Sequence, residues 1–106
     1  MNTKLRSILA ELRARFEALY GDRLVRLILY GSQARGDAEP DSDIDVLVVL
    51  KGDVSPEREI ERTGDIVSEV SLAYQSVVSC VFVSEERYSS EWTPLLSNVR
   101  REGVLV

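Results

Sequence analysis

Histidine is absent from this chain, and cysteine, tryptophan and methionine occur once each. Each scarcity removes a class of chemistry. Without histidine the commonest general base is missing. A metal site would have to be built from oxygen donors, which selects Mg2+, Mn2+ or Ca2+ over Zn2+. The lone cysteine, Cys80, cannot close an internal disulfide, so nothing ties the chain to an oxidising compartment. Its place inside a β-rich run marks it as a small buried hydrophobe. No apolar run reaches the roughly 18 residues that crossing a bilayer takes. The start, MNTKLRSILAELR, lacks the apolar core of a signal peptide, so a cytoplasmic protein without a membrane partner is the expectation. Basic residues are in deficit too: 13 Lys and Arg against 18 Asp and Glu leave a net charge of −5. That argues against nucleic acid as a partner and suits a site that gathers cations, or a basic partner. With 106 residues, 44% of them hydrophobic, the expectation is one small domain over residues 1–106 with one modest core.

What is present alternates between helical and extended patterns. Thr3 is placed to cap a first helix running to about Tyr20, with Gly21 as its stop. Leu5, Ile8, Leu9, Leu12, Phe16, Leu19 and Tyr20 recur at helical spacing and form one apolar stripe. Leu24 to Tyr30 predicts a first strand. Asp43 to Leu50 predicts a second, whose nearly continuous apolar run indicates burial on both faces. Ser55-Pro56 has the form of an N-cap followed by proline at the first helical position. The helix it opens runs from Pro56 to about Tyr74, with Ile60, Val67, Val70 and Tyr74 on its buried face and a weak point at Thr63-Gly64. Val77 to Val83 predicts a third strand, Ser84 caps a short helical turn, and Pro94 to Glu102 predicts a last helix closed by Gly103. Val104 to Val106 either tucks against the sheet or frays. The fold class is therefore α/β (α+β), a small mixed sheet of about three strands with helices packed on it.

The chemistry gathers between Leu27 and Leu50, LILYGSQARGDAEPDSDIDVLVVL. Gly31-Ser32 follows a strand and precedes a short helix, Gln33 to Arg35. Such a turn leaves backbone amides free, and glycine admits a phosphate close to them; equally, both residues favour plain turns. Asp43 and Asp45, at i and i+2 on a strand, point to one face. Two carboxylates there repel unless a cation lies between them or one is protonated. Mg2+ is bound in this way, through one or two carboxylates with water and substrate phosphates completing its shell. A donor turn beside a carboxylate pair describes a pocket for a metal-bound triphosphate, suited to in-line attack at phosphorus.

GSQARGDAEPDSDIDVLVVL resembles the signature of the DNA polymerase β-like nucleotidyltransferase superfamily: Gly-Ser, a spacer of about ten residues, here Gln33 to Ser42, and Asp-x-Asp. Ala34-Arg35-Gly36 and Ser42-Asp43-Ile44-Asp45 resemble in particular the minimal nucleotidyltransferases (MNT), often paired with a helical HEPN protein as antitoxin and toxin. The resemblance implies the polymerase-β-like fold, with Asp43 and Asp45 as metal ligands and Gly31 and Ser32 as the triphosphate turn. Arg35 is implied as a phosphate contact, with a structural salt bridge equally open. It further implies Mg2+ (or Mn2+) and an NTP, most simply ATP. The acceptor would be a hydroxyl on a HEPN-type partner; a homo-oligomer stays open. One departure stands out. Active members of the superfamily carry a third carboxylate on a later strand, but SVVSCVFVS has none. Ser79, or alternatively Ser76, occupies that place, and the nearest acids are Glu69, Glu85 and Glu86. A lost general base costs typically about 10²–10⁴-fold in rate. The competing expectation is therefore a weakened domain that acts by complex formation alone.

Of the aromatic residues, Trp92 in the polar stretch SSEWTP is the best placed for a contact surface, with half-buried packing as the plainer reading. Arg100-Arg101 could meet nucleic acid; placement at a helix C-terminus explains them more simply.

Overall fold

The computed structural model describes the whole chain, Met1–Val106. In chain order it forms α1 (Thr3–Tyr20), a single 3-10 turn (Gly21–Arg23), β1 (Leu24–Tyr30), α2 (Ser32–Arg35) and β2 (Ile44–Leu50). Then come α3 (Pro56–Tyr74), β3 (Val78–Ser84), α4 (Glu85–Ser90), α5 (Pro94–Glu102) and β4 (Val104–Leu105). The strands lie in the order β3-β2-β1-β4. β1 runs antiparallel to β2, with Tyr30 opposite Asp45, and β2 runs parallel to β3, with Asp45 opposite Ser79.

Alternation along β2 divides the core between the two sheet faces. Ile44, Val46, Val48 and Leu50 join α1 and α3 through Leu9, Phe16 and Val70. Leu47 and Val49 join Ile28, Val83 and the α5 residues Leu96 and Val99. A central strand clothed on both sides has to be apolar throughout, and Val46 to Leu50 are fully buried. By the same alternation Asp45 shares the α5 face with Leu47 and Val49. This face carries the candidate site.

Four expectations need correction. The sheet has four strands rather than three, because Val104 and Leu105 pair with Leu29 and Ile28. A two-residue strand has no periodicity to detect; its partner, more than seventy positions away, defines it. The cap of α1 is Asn2, whose Oδ1 accepts from the Leu5 amide at 2.7 Å, and Thr3 is the first helical residue. Ser55 stands at the N-cap of α3, but its hydroxyl caps nothing. Finally, Leu19 on α1 is exposed, and on α3 Ile60 is exposed while Glu59 and Thr63 are buried in its stead.

That last exchange has a physical cause. Glu59 Oε1 accepts from the Tyr20 hydroxyl at 2.7 Å, and the guanidinium groups of Arg23 and Arg62 lie 3.9 and 3.5 Å from its carboxylate. Thr63 bonds back to the Glu59 carbonyl at 2.8 Å. This buried network turns α3 so that the 59–63–70 edge faces inward, and the helix runs unbroken through Gly64. Burial, and then Glu59, push the Tyr20 phenol far above its ordinary range. Glu59 is the buried charge of this group, while both arginines reach water, so its removal leaves the Tyr20 hydroxyl without an acceptor. Glu59→Ala is therefore expected to cost about 1–3 kcal/mol, measured by urea unfolding, with a smaller loss for Glu59→Gln.

Candidate active site

Two chain reversals at one end of β1 and β2 build this site. At Gly31 the backbone has φ +75° and ψ −158°, a combination essentially confined to glycine. The carbonyl of Gly31 accepts from the Ala34 and Arg35 amides, both at 3.1 Å. The amides of Ser32 and Gln33, first in α2, have no preceding helical carbonyl to bond. Gly36, at φ +82°, ends α2 after one turn. The chain then returns through a loop held by Ser42, which bonds Glu39 in both directions and receives the Gln33 side-chain amide at 3.3 Å on its carbonyl.

The return places Asp45 directly against the turn. A Cβ added to Gly31 would lie 2.6 Å from Asp45 Oδ2. The absent side chain is thus the space the carboxylate occupies. Asp43 precedes the strand and is exposed; Asp45 is half-buried. Burial first, and then the charge of Asp43, raise the Asp45 carboxyl above its ordinary range. Tyr30, opposite Asp45, is raised by burial and by that same carboxylate. A raised carboxyl sets the sign of the linkage. The Asp45 contribution favours the fold below the ordinary carboxylate pKa and is lost as pH rises through the higher folded value. At neutral pH the ionised pair opposes folding unless a cation neutralises it. The donor set, two carboxylates open to water beside free amides, fits a hard hydrated divalent cation carrying an anion.

A family profile described as a nucleotidyltransferase domain matches residues 6–106. The chain belongs to that family. Among its relatives, a protein of Methanocaldococcus jannaschii named "Putative protein adenylyltransferase" is 37% identical over 86 residues, which is 79% of this chain and 79% of the relative. A solved structure described as a "putative minimal nucleotidyltransferase" superposes with a TM-score of 0.53 at 28% identity, covering 92% of this chain and 95% of the other. A chain of the Shewanella oneidensis complex described as tri-AMPylated HEPN toxin with MNT antitoxin superposes with a TM-score of 0.57, over 96% of this chain and 67% of the other. At 20% identity the last likeness is one of fold.

Within this nucleotidyltransferase domain the residues singled out by sequence fall into two groups. Gly31, Ser32, Asp43 and Asp45 come together at the strand ends. Arg35 takes the structural salt-bridge role that its sequence position left open. It bridges Asp37 at 3.2 Å and Glu102 at 3.1 Å, binding α2 to the end of α5. Glu102 lies 67 positions away and gave no local signal. On β3, Ser79 lies opposite Asp45 in the parallel register, on the α5 face. No cluster of three potential metal-binding side chains forms. Cys80 points to the other face, where burial pushes its thiol up to about 12; it is no thiolate nucleophile.

Proposed function

We propose that this domain transfers AMP from ATP to a hydroxyl on a protein partner, and that a HEPN-type helical protein is that partner. The observation that carries the reading is the placement of the Asp45 carboxylate in the space left by Gly31. In this reading a cation-binding carboxylate and an anion-binding turn are thereby in direct contact. The family supplies the reaction class, nucleotidyl transfer, and the names of the relatives above favour adenylyl transfer to protein.

In this reading the Ser32 and Gln33 amides and the Ser32 hydroxyl hold phosphate oxygens of the triphosphate, and Asp43 and Asp45 hold Mg2+. Bound there, Mg2+ would supply Lewis acidity to the phosphate oxygens. The acceptor oxygen bonds to the α-phosphorus, the bond from that phosphorus to the oxygen bridging to the β-phosphate breaks, and pyrophosphate leaves with the electron pair. The hydroxyl proton passes to water, because Ser79 stands where a carboxylate base would accept it. Tyr30 stands opposite Asp45 on β1, and the partial burial of Asp45 there strengthens its charge interactions.

Ser79 favours the second reading, a domain that neutralises its partner by complex formation alone. The two are separated by co-expression with the partner and mass analysis of the partner. Transfer predicts one or more added AMP groups, absent when Asp43 and Asp45 are both replaced by Asn. An unmodified partner in a stable complex would establish the binding module. A further prediction follows from the register. Ser79→Asp supplies a base and is expected to raise the transfer rate about 10²-fold, the lower end of general-base catalysis, read from the initial rate of pyrophosphate release.

A further inference from the structure

Away from the carboxylates, on the same sheet face, two arginines and two aromatic rings form a stack. The Arg100 guanidinium lies 4.4 Å from the Trp92 ring centroid and 5.2 Å from that of Tyr88, and the Arg26 guanidinium lies 5.9 Å from the same Tyr88 centroid. Trp92 is 73% exposed despite this contact. Arg26 stands four residues before Tyr30 on β1, so the stack is displaced about 13 Å along the strand from Asp45.

Its charges are unclaimed. Arg13, Arg15, Arg23, Arg35, Arg62 and Arg87 all form ion pairs. Arg26 and Arg100 form none; the other arginines without an ion pair, Arg6, Arg58 and Arg101, lie over no aromatic ring. Arg100 donates one arm to the Tyr88 carbonyl, while its Nη1 is shielded from water and bonds to nothing. A desolvated donor without an acceptor is costly, and arrival of an acceptor removes the cost. Exposed tryptophan, tyrosine and arginine together are the residues that anchor interfaces.

The geometry points to the Trp92–Arg100–Tyr88–Arg26 surface as a docking site for a protein partner, which it engages through a surface carboxylate flanked by apolar side chains. The carboxylate meets the two arginines and the apolar neighbours lie on Trp92 and on Leu95, which is also exposed. A single-stranded nucleic acid would stack on the same rings. Its continuous phosphates would, however, run against Glu85 and Glu86, both exposed at the start of α4, in a chain of net charge −5. One carboxylate avoids that repulsion; a polyanion does not.

Trp92 is the only tryptophan, so its emission reports the surface directly in the full chain. The probes are a blocked Leu-Asp-Leu-Glu-Leu peptide and, separately, a twelve-residue oligothymidylate. The peptide is expected to change the emission saturably. Arg100→Gln and Arg26→Gln should each weaken it about 10-fold, the scale of one charge-assisted contact, while Arg101→Gln leaves it unaltered. Arg26 is exposed, so its variant keeps the test open if Arg100→Gln misfolds. No saturable response to the peptide overturns the proposal, as does tighter binding of the oligothymidylate. Concentration-dependent self-association that alone accounts for the emission change would assign the surface to a second copy instead, and overturns it equally.

Discussion

Gly31→Ala should reduce AMP transfer about 10²-fold or more, the cost of misplacing a reacting group by an ångström, and destabilise the fold by about 1–3 kcal/mol. Two separate effects act. The φ of +75° is strained for any residue with a Cβ, and that Cβ would meet Asp45 Oδ2 at 2.6 Å. The carboxylate has to move, and with it the cation position. Combining Gly31→Ala with Asp45→Gly separates the two. The clash disappears, so part of the stability returns, while the backbone strain remains and activity stays lost. If Gly31→Ala alone leaves activity intact, Asp45 and the turn do not work as one site.

Asp45→Asn carries the second large effect, and its two readouts run in opposite directions. Several kcal/mol of charge stabilisation from a metal site disappear with its ligand, so transfer is expected to fall by about 10³-fold or more at 1.36 kcal/mol per decade. The same substitution removes a half-buried carboxyl whose ionised form is disfavoured by burial and by Asp43. At neutral pH the metal-free Asp45→Asn variant is therefore expected to melt at a higher temperature than the metal-free native protein. The gap should close on acidification, as Asp45 takes up its proton in the folded state first. Protons and the cation compete for this carboxylate, so the affinity for Mg2+ should fall as pH drops into the raised range of Asp45. Thermal melts against pH, with and without Mg2+, check the sign. A lower melting temperature for the variant would contradict the electrostatic account of the pair.

The elements that surround the site were legible because their signals are local. The run from Leu24 to Tyr30 bounds β1, and Pro56 and Tyr74 bound α3. The apolar stretch after Asp45 marked β2 as central, and the β2–β3 register set Ser79 beside Asp45. Gly31, Ser32, Asp43 and Asp45 were legible as a spacing, and the structure accounts for that spacing. The Gln33–Ser42 segment is a one-turn helix and a loop, enough chain to carry β2 back alongside β1. What stayed hidden depends on contacts remote in sequence. Glu59 and Thr63 displaced Ile60 from the buried face because Tyr20 and Arg23 offered a carboxylate its partners. Arg35 serves as a tie to Glu102, and β4 exists only against β1. The stacking of Arg100 between Tyr88 and Trp92 likewise joins three short segments that are unremarkable one at a time.

The central claim is that Asp43 and Asp45, set against the Gly31 turn, support nucleotidyl transfer to a partner. The most direct measurement incubates the domain and its partner with Mg2+ and ATP labelled at either the α- or the γ-phosphate. The account predicts that the partner takes up the α-label alone, that pyrophosphate appears in equal amount, and that both cease in Asp43→Asn/Asp45→Asn. Uptake of the γ-label, or α-label uptake undiminished in the double variant, would contradict it.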